Sequence, residues 1–274
     1  MRLHSAGQPS AASNYKMAYL IPCALFIFLA WLILRKKGNR VSKTVERMPA
    51  AYQKILEEEV RFYQRLEPAQ RTVFEEKIMQ FLARVRITGV KTTVEDADKV
   101  FIAASAVIPI FAFPNWEYMN LNEVLLYPDS FNDQFEIEGN AERPILGMVG
   151  TGPLQKVMLL SRGALRLGFE NKTDKYNTAI HEFIHLVDKT DGETDGIPES
   201  IMSRQYVLPW INRMHQEIKL IAEQRSDINP YGATNQAEFF AVAGEYFFER
   251  PGLLEDKHPE LYALLQKIFI PTTK

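Results

Sequence analysis

Residues 174–192 read DKYNTAIHEFIHLVDKTDG. Ile180, Ile184 and Val187 recur at helical spacing and Gly192 supplies a stop, so the segment reads as a helix with one apolar stripe. On it stand His181, Glu182 and His185, the HExxH pattern. An i, i+4 spacing sets both imidazoles on one face, about a turn apart, where both can bind one tetrahedral ion. Glu182 then reaches a water at the open fourth position and can act as its general base. The plain alternative is two unrelated histidines that fall four apart, which five histidines in 274 residues make a rare coincidence. The pattern points to Zn2+ and to hydrolysis. A single cysteine, Cys23, excludes a four-thiolate metal site and an intramolecular disulfide.

A catalytic zinc needs a third protein ligand. Asp188 and Asp191 occupy the positions where the extended HExxHxxGxxH pattern has Gly and His, so a carboxylate must serve. In NQAEFFAVAGEYFFERP (235–251), Glu238 opens a strongly apolar helix that would turn it inward, and it is the best candidate. Glu245, seven residues on and on the same face, competes for the role, or accepts a hydrogen bond from a ligand imidazole. Asp188, three residues after His185, has the same possible accepting role.

Outward from the motif, residues 44–274 read as a single α+β domain without repeats or low-complexity tracts. Helical spacing runs through Met48, Tyr52, Ile55, Leu56 and Val60, and after Pro68 through Phe74, Ile78, Phe81, Leu82 and Val85. A third apolar helix is expected over 96–108, and further helices over 174–189, 200–225, 236–249 and 259–269. Short apolar runs at 123–127 (EVLLY) and 157–160 (VMLL) read as a small sheet rather than as alternating βα units. Leu154 to Leu160 reads either as a sheet edge open to an extended peptide or as a buried strand. His215 and His258 read as surface histidines, Phe240, Phe247 and Phe248 as core. Glu136, Glu138 and Glu142 read as a solvated loop or a cation-attracting rim.

The N-terminal region differs. After a tail at 1–16, residues 17–34 read MAYLIPCALFIFLAWLIL, 18 residues without a charge, long enough to span a bilayer. No small-residue cleavage site follows the apolar run, which favours a retained transmembrane helix over a removed signal peptide. Pro22 before Cys23 also fits lipoprotein processing poorly. The basic linker at 35–43 puts the rest of the chain on the cytoplasmic side of the inner membrane. Residues 1–43 hold seven basic residues and no acid, which leaves 25 basic against 34 acidic beyond them. That acidic remainder makes nucleic acid an unsuitable partner, and the 46% hydrophobic content excludes disorder.

NEVLLYPDSF (122–131), HEFIHLVDKTDGETDGIP (181–198), YGATNQAEFFAVAGEYFFERPGLL (231–254) and PELYALL (259–265) together resemble the zinc-dependent peptidases of the Mlc titration factor A type. The likeness spans most of 70–270. It implies a zincin-like domain, zinc on His181, His185 and Glu238, Glu182 as catalytic base, and aminopeptidase character. The chain is also similar to the catalytic domain of anthrax lethal factor around HEF.H and YG.TN.AEFFA, which implies that the Tyr231 hydroxyl donates to the oxyanion of the tetrahedral intermediate. Gly244 stands where the family usually has Ser, and the anchor departs from a family usually described as soluble and cytosolic. Two classes of function remain. One is a membrane-anchored metallopeptidase acting on a peptide or protein substrate. The other is a protein that captures a transcriptional repressor or other regulatory protein, with incidental proteolysis.

Overall fold

The computed structural model describes residues 47–132, 145–171 and 173–270, in which helices pack against a small mixed sheet. The tail, the apolar span at 17–34, the basic linker and the acidic residues Glu136, Glu138 and Glu142 lie outside the described residues. Among the described residues no helix is long and apolar enough to cross a membrane.

Helices α1 (Ala50–Glu59) and α2 (Arg61–Gln64) lead into α3 (Pro68–Arg84), which opens where Pro68 takes the first helical position. There Gln70 accepts a hydrogen bond from the Glu67 N–H at 3.0 Å. Strand β1 (Arg86–Gly89) follows, then α4 (Asp96–Ile110), whose residues from Val100 to Ile110 are all buried. A helix apolar all round belongs in the middle of a core, and α4 packs against α1, α3 and the helix that carries the HExxH pattern. Its one fully buried acid, Asp98, pairs with Arg162 and Arg166, each at 3.0 Å.

Strands β2 (Glu123–Tyr127), β3 (Gly147–Val149) and β4 (Val157–Ser161) complete a sheet ordered β1-β2-β4-β3. β1, β2 and β4 run parallel, and β3 lies antiparallel on β4. Parallel neighbours need a crossover, and α4 provides it between β1 and β2, so one βαβ unit exists where the sequence pattern gave no sign of alternation. Side chains alternate across the sheet. Val124, Leu126, Met158 and Leu160 face the main core, whereas Leu125, Tyr127 and Leu159 meet Phe131, Ile145 and Met148 on the other side.

Of the two readings of Leu154–Leu160, the buried strand holds: β4 is paired on both sides, and among the described strands the edge beside it is β3. Leu146 and Gly150 bond to β4 partners at 2.8 and 2.9 Å. Bonded residues alternate along an antiparallel pair, so the backbone N–H and C=O groups of Gly147 and Val149 turn outward.

After β4 come α5 (Arg162–Glu170), α6 (Thr178–Asp188), α7 (Val207–Ala222), α8 (Gln236–Glu249), α9 (Pro251–Lys257) and α10 (Pro259–Phe269). Phe240, Phe247 and Phe248 on α8 are core residues that join Phe269 of α10 in one aromatic cluster. Gly244 admits close packing of α8 on α6, since a Cβ there would lie 2.4 Å from Ile184 Cδ1.

Candidate metal centre and cleft

Helix α6 begins later than its periodicity implied because Asn177 caps it, accepting the Ile180 N–H on its side-chain oxygen at 3.1 Å. Ala179, Ile180, Phe183, Ile184, Leu186 and Val187 bury the helix on nearly all sides and leave His181, Glu182 and His185 along one cleft. Helix α8 starts in the same manner, Asn235 accepting the Glu238 N–H at 2.9 Å. The two caps fix where each helix begins, and hence which of their residues meet.

His181, His185 and Glu238 converge, their ligand atoms all lying within 4.8 Å of one another. His181 Nε2 is 3.0 Å from His185 Nε2 and 3.0 Å from Glu238 Oε2, and His185 Nε2 is 3.4 Å from the same carboxylate oxygen. Nitrogen and oxygen ligands about 2.1 Å from a tetrahedral ion stand about 3.4 Å apart, so the donor set fits a zinc-sized cation. The electrostatics agree. Burial by itself lowers the pKa of the His181 imidazole, but the Glu245 and Glu238 carboxylates outweigh it and raise it. Burial by itself raises Glu238, but the two imidazoles hold it down at about 2. Two imidazoles ringed by Glu182, Glu238 and Glu245 call for positive charge at their centre.

Glu245 takes a different place from Glu238. Its Oε1 meets His181 Nδ1, on the far side of the ring from the cluster, and its Oε2 accepts the Asn177 N–H at 3.1 Å. Asn177 also donates its side-chain amide to Glu249 at 3.0 Å, so α8 grips the start of α6 at two successive turns. Asp188 does not accept from a ligand imidazole. It accepts the Gly196 N–H at 2.8 Å, and burial pushes its carboxyl up to about 7. The loop folds back through Gly196 at φ 79°, which turns Asp188 toward backbone. His185 Nδ1 is buried without a hydrogen-bond partner among the described residues.

Glu182 lines the cleft beside the cluster, buried, which raises its carboxyl against the pull of His181 and His185. A Cβ on Gly147 would lie 2.8 Å from Glu182 Cγ, so the edge strand passes directly against this side chain. Tyr231 stands in a short turn (Pro230–Ala233), its ring 6.1 Å from that of His181 and 52% exposed. Burial and the charges of Glu238 and Glu182 raise its hydroxyl. These groups and β3 enclose a cleft of about 730 Å³.

His215 is exposed, whereas His258 is not the surface histidine its sequence setting implied. Its side chain is only 10% exposed, set between Glu217 and Asp227, with Nε2 2.8 Å from Asp227 Oδ1. Asn177, Gly147 and Lys189 are site residues that the sequence reading missed. Asn177 carried a usable signal, an Asn immediately before a helical stripe.

The sequence pattern of the glucose-regulated metallo-peptidase M90 family matches residues 34–270. The chain is 31% identical to the uncharacterized protein slr2042 of Synechocystis sp. over 81% of this chain and 84% of that protein. It is 29% identical to Mlc titration factor A of Pectobacterium atrosepticum, covering 69% of this chain and 75% of that one. With the protein of the same name from Serratia proteamaculans the identity is 30%, over 54% and 59%.

Proposed function

This chain belongs to the glucose-regulated metallo-peptidase M90 family, and from that premise we propose that it is a zincin-like zinc peptidase acting at the cytoplasmic face of the inner membrane. The observation that carries the reading is the convergence of His181, His185 and Glu238 beside Glu182, in a cleft bordered by a strand edge. Zinc on these three ligands would supply a Lewis acid that acidifies a water and polarises the substrate carbonyl. Glu182 is the group that accepts the proton of the attacking water and returns it to the leaving amine, and its buried carboxyl is tuned upward for that exchange. Tyr231 donates its hydroxyl to the oxyanion. Glu245 accepts from His181 Nδ1 and fixes that ring's orientation. The outward backbone groups of Gly147 and Val149 hold an extended peptide as an added strand.

Digestion of an unbiased peptide mixture by the full chain, purified in detergent with zinc, tests this reading. Cleavage that stops with a chelator is expected; none at full zinc occupancy refutes it. The same digest separates internal cuts from stepwise loss of N-terminal residues, the mode the family resemblance implies.

The membrane part of the proposal is supported by the 18 uncharged residues at 17–34 and the basic cluster after them. In intact cells a C-terminal tag should be shielded from added protease and a tag at residue 1 cleaved. An accessible C-terminus would move the catalytic part outside. A second reading, capture of a transcriptional regulator, is favoured by the name Mlc titration factor A that two relatives carry. Such capture would survive loss of the Glu182 carboxylate, and hydrolysis would not.

A further inference from the structure

Lys189 lies eight residues beyond His181 and four beyond His185, where α6 passes into its final turn. It is the only lysine or arginine among the described residues that line the cleft, where the acids are Glu182, Glu238 and Asp195. The half-buried ammonium donates to the Gly150 carbonyl at 3.2 Å, which leaves two of its three hydrogens for other acceptors. No carboxylate among the described residues pairs with it. A cation so placed is held at the cleft wall without a counter-charge of its own.

Its position along the cleft gives it a reading. Glu182 abuts Gly147 at the start of β3, and Lys189 is tied to Gly150, just past the end of β3. Three residues of extended chain span about 10 Å. A peptide paired along β3 with its scissile bond at Glu182 therefore brings a side chain two or three residues away to the ammonium. We infer that Lys189 is a specificity residue that selects substrates carrying a carboxylate at that distance from the scissile bond; this rests on the peptidase reading. The carboxylate can come from an Asp or Glu side chain or from the end of the chain. A charge-assisted hydrogen bond in a partly desolvated cleft sets the preference at about tenfold in kcat/KM, and added salt weakens it.

The test compares the zinc-loaded full chain with Lys189→Gln, which keeps a donor for Gly150, and with Lys189→Glu. Substrates are matched peptides with Glu, Gln or Lys two or three residues from the cut, each with a free and an amidated C-terminus. Affinity for the same peptides is read by fluorescence anisotropy on a Glu182→Gln background, where nothing is cut. The wild type should favour Glu over Lys about tenfold, Lys189→Gln should show no charge preference, and Lys189→Glu should reverse it. A preference that follows amidation instead of the side chain assigns the site to a terminal carboxylate. Equal cleavage and equal affinity for all peptides in all three proteins would overturn the inference and leave the peptidase reading intact. Failure of the zinc-loaded wild type to cut any peptide would overturn both.

Discussion

Glu182→Gln should keep its metal and lose about 10² to 10⁴-fold in peptide hydrolysis, the range that general-base catalysis supplies. The substitution preserves volume and helix propensity, and Glu182 is not among the three convergent ligand groups. What disappears is the proton acceptor facing the cleft. Because the Gly147 backbone packs closely against one side of this side chain, the amide should stay where the carboxylate was, so the loss should fall on kcat with KM little changed. Metal analysis and steady-state kinetics on one preparation read both quantities. Tyr231→Phe should fall by about 10² to 10³-fold, since it forfeits one hydrogen bond made mainly in the transition state. Equal activity of Glu182→Gln and wild type would remove Glu182 from the chemistry.

The second large effect is on the metal itself. His181→Ala, His185→Ala and Glu238→Ala should each abolish stoichiometric zinc binding, because two remaining ligands make a weak site. Glu245→Ala should retain zinc with affinity lowered by about 10 to 100-fold, the usual consequence of losing a group that orients a ligand imidazole. The structure separates these carboxylates by geometry: Glu238 meets the Nε2 atoms of both histidines, whereas Glu245 meets only Nδ1 of His181. Competition with a chromogenic chelator gives the affinities. If Glu245→Ala loses zinc and Glu238→Ala keeps it, the ligand assignment is reversed.

How far these residues could be read from the chain depended on whether their signal was local. The helix carrying His181 and His185 has its period, its motif and its stop within 19 residues. Strand β2 coincides with the apolar run EVLLY because its bounds are set by its own sequence. β3 is three residues long, too short for any alternation, and exists because β4 offers it a partner. α5 is rich in helix formers, but Gly163 and Gly168 interrupt its nine residues and obscure it in the sequence. Gly168 is required by a distant residue, since a Cβ there would sit 2.8 Å from the Asn177 side chain.

The same distinction holds within the site. Glu238 could be picked out because an acid opening an apolar helix must find a use for its charge. His258 was misread because its burial depends on Glu217 and Asp227, which reach it from elsewhere in the chain. Lys189 carries no signal of its own in the sequence. Only the approach of Gly150 to it makes it part of a cleft wall.

Whether a zinc ion held by His181, His185 and Glu238 drives peptide hydrolysis can be decided by titrating zinc into the metal-free full chain while following cleavage of a single peptide. Activity should rise in proportion to bound zinc and level at one equivalent, with no rise in His185→Ala. Hydrolysis that is complete before zinc is added, or absent once one equivalent is bound, would contradict that role of zinc.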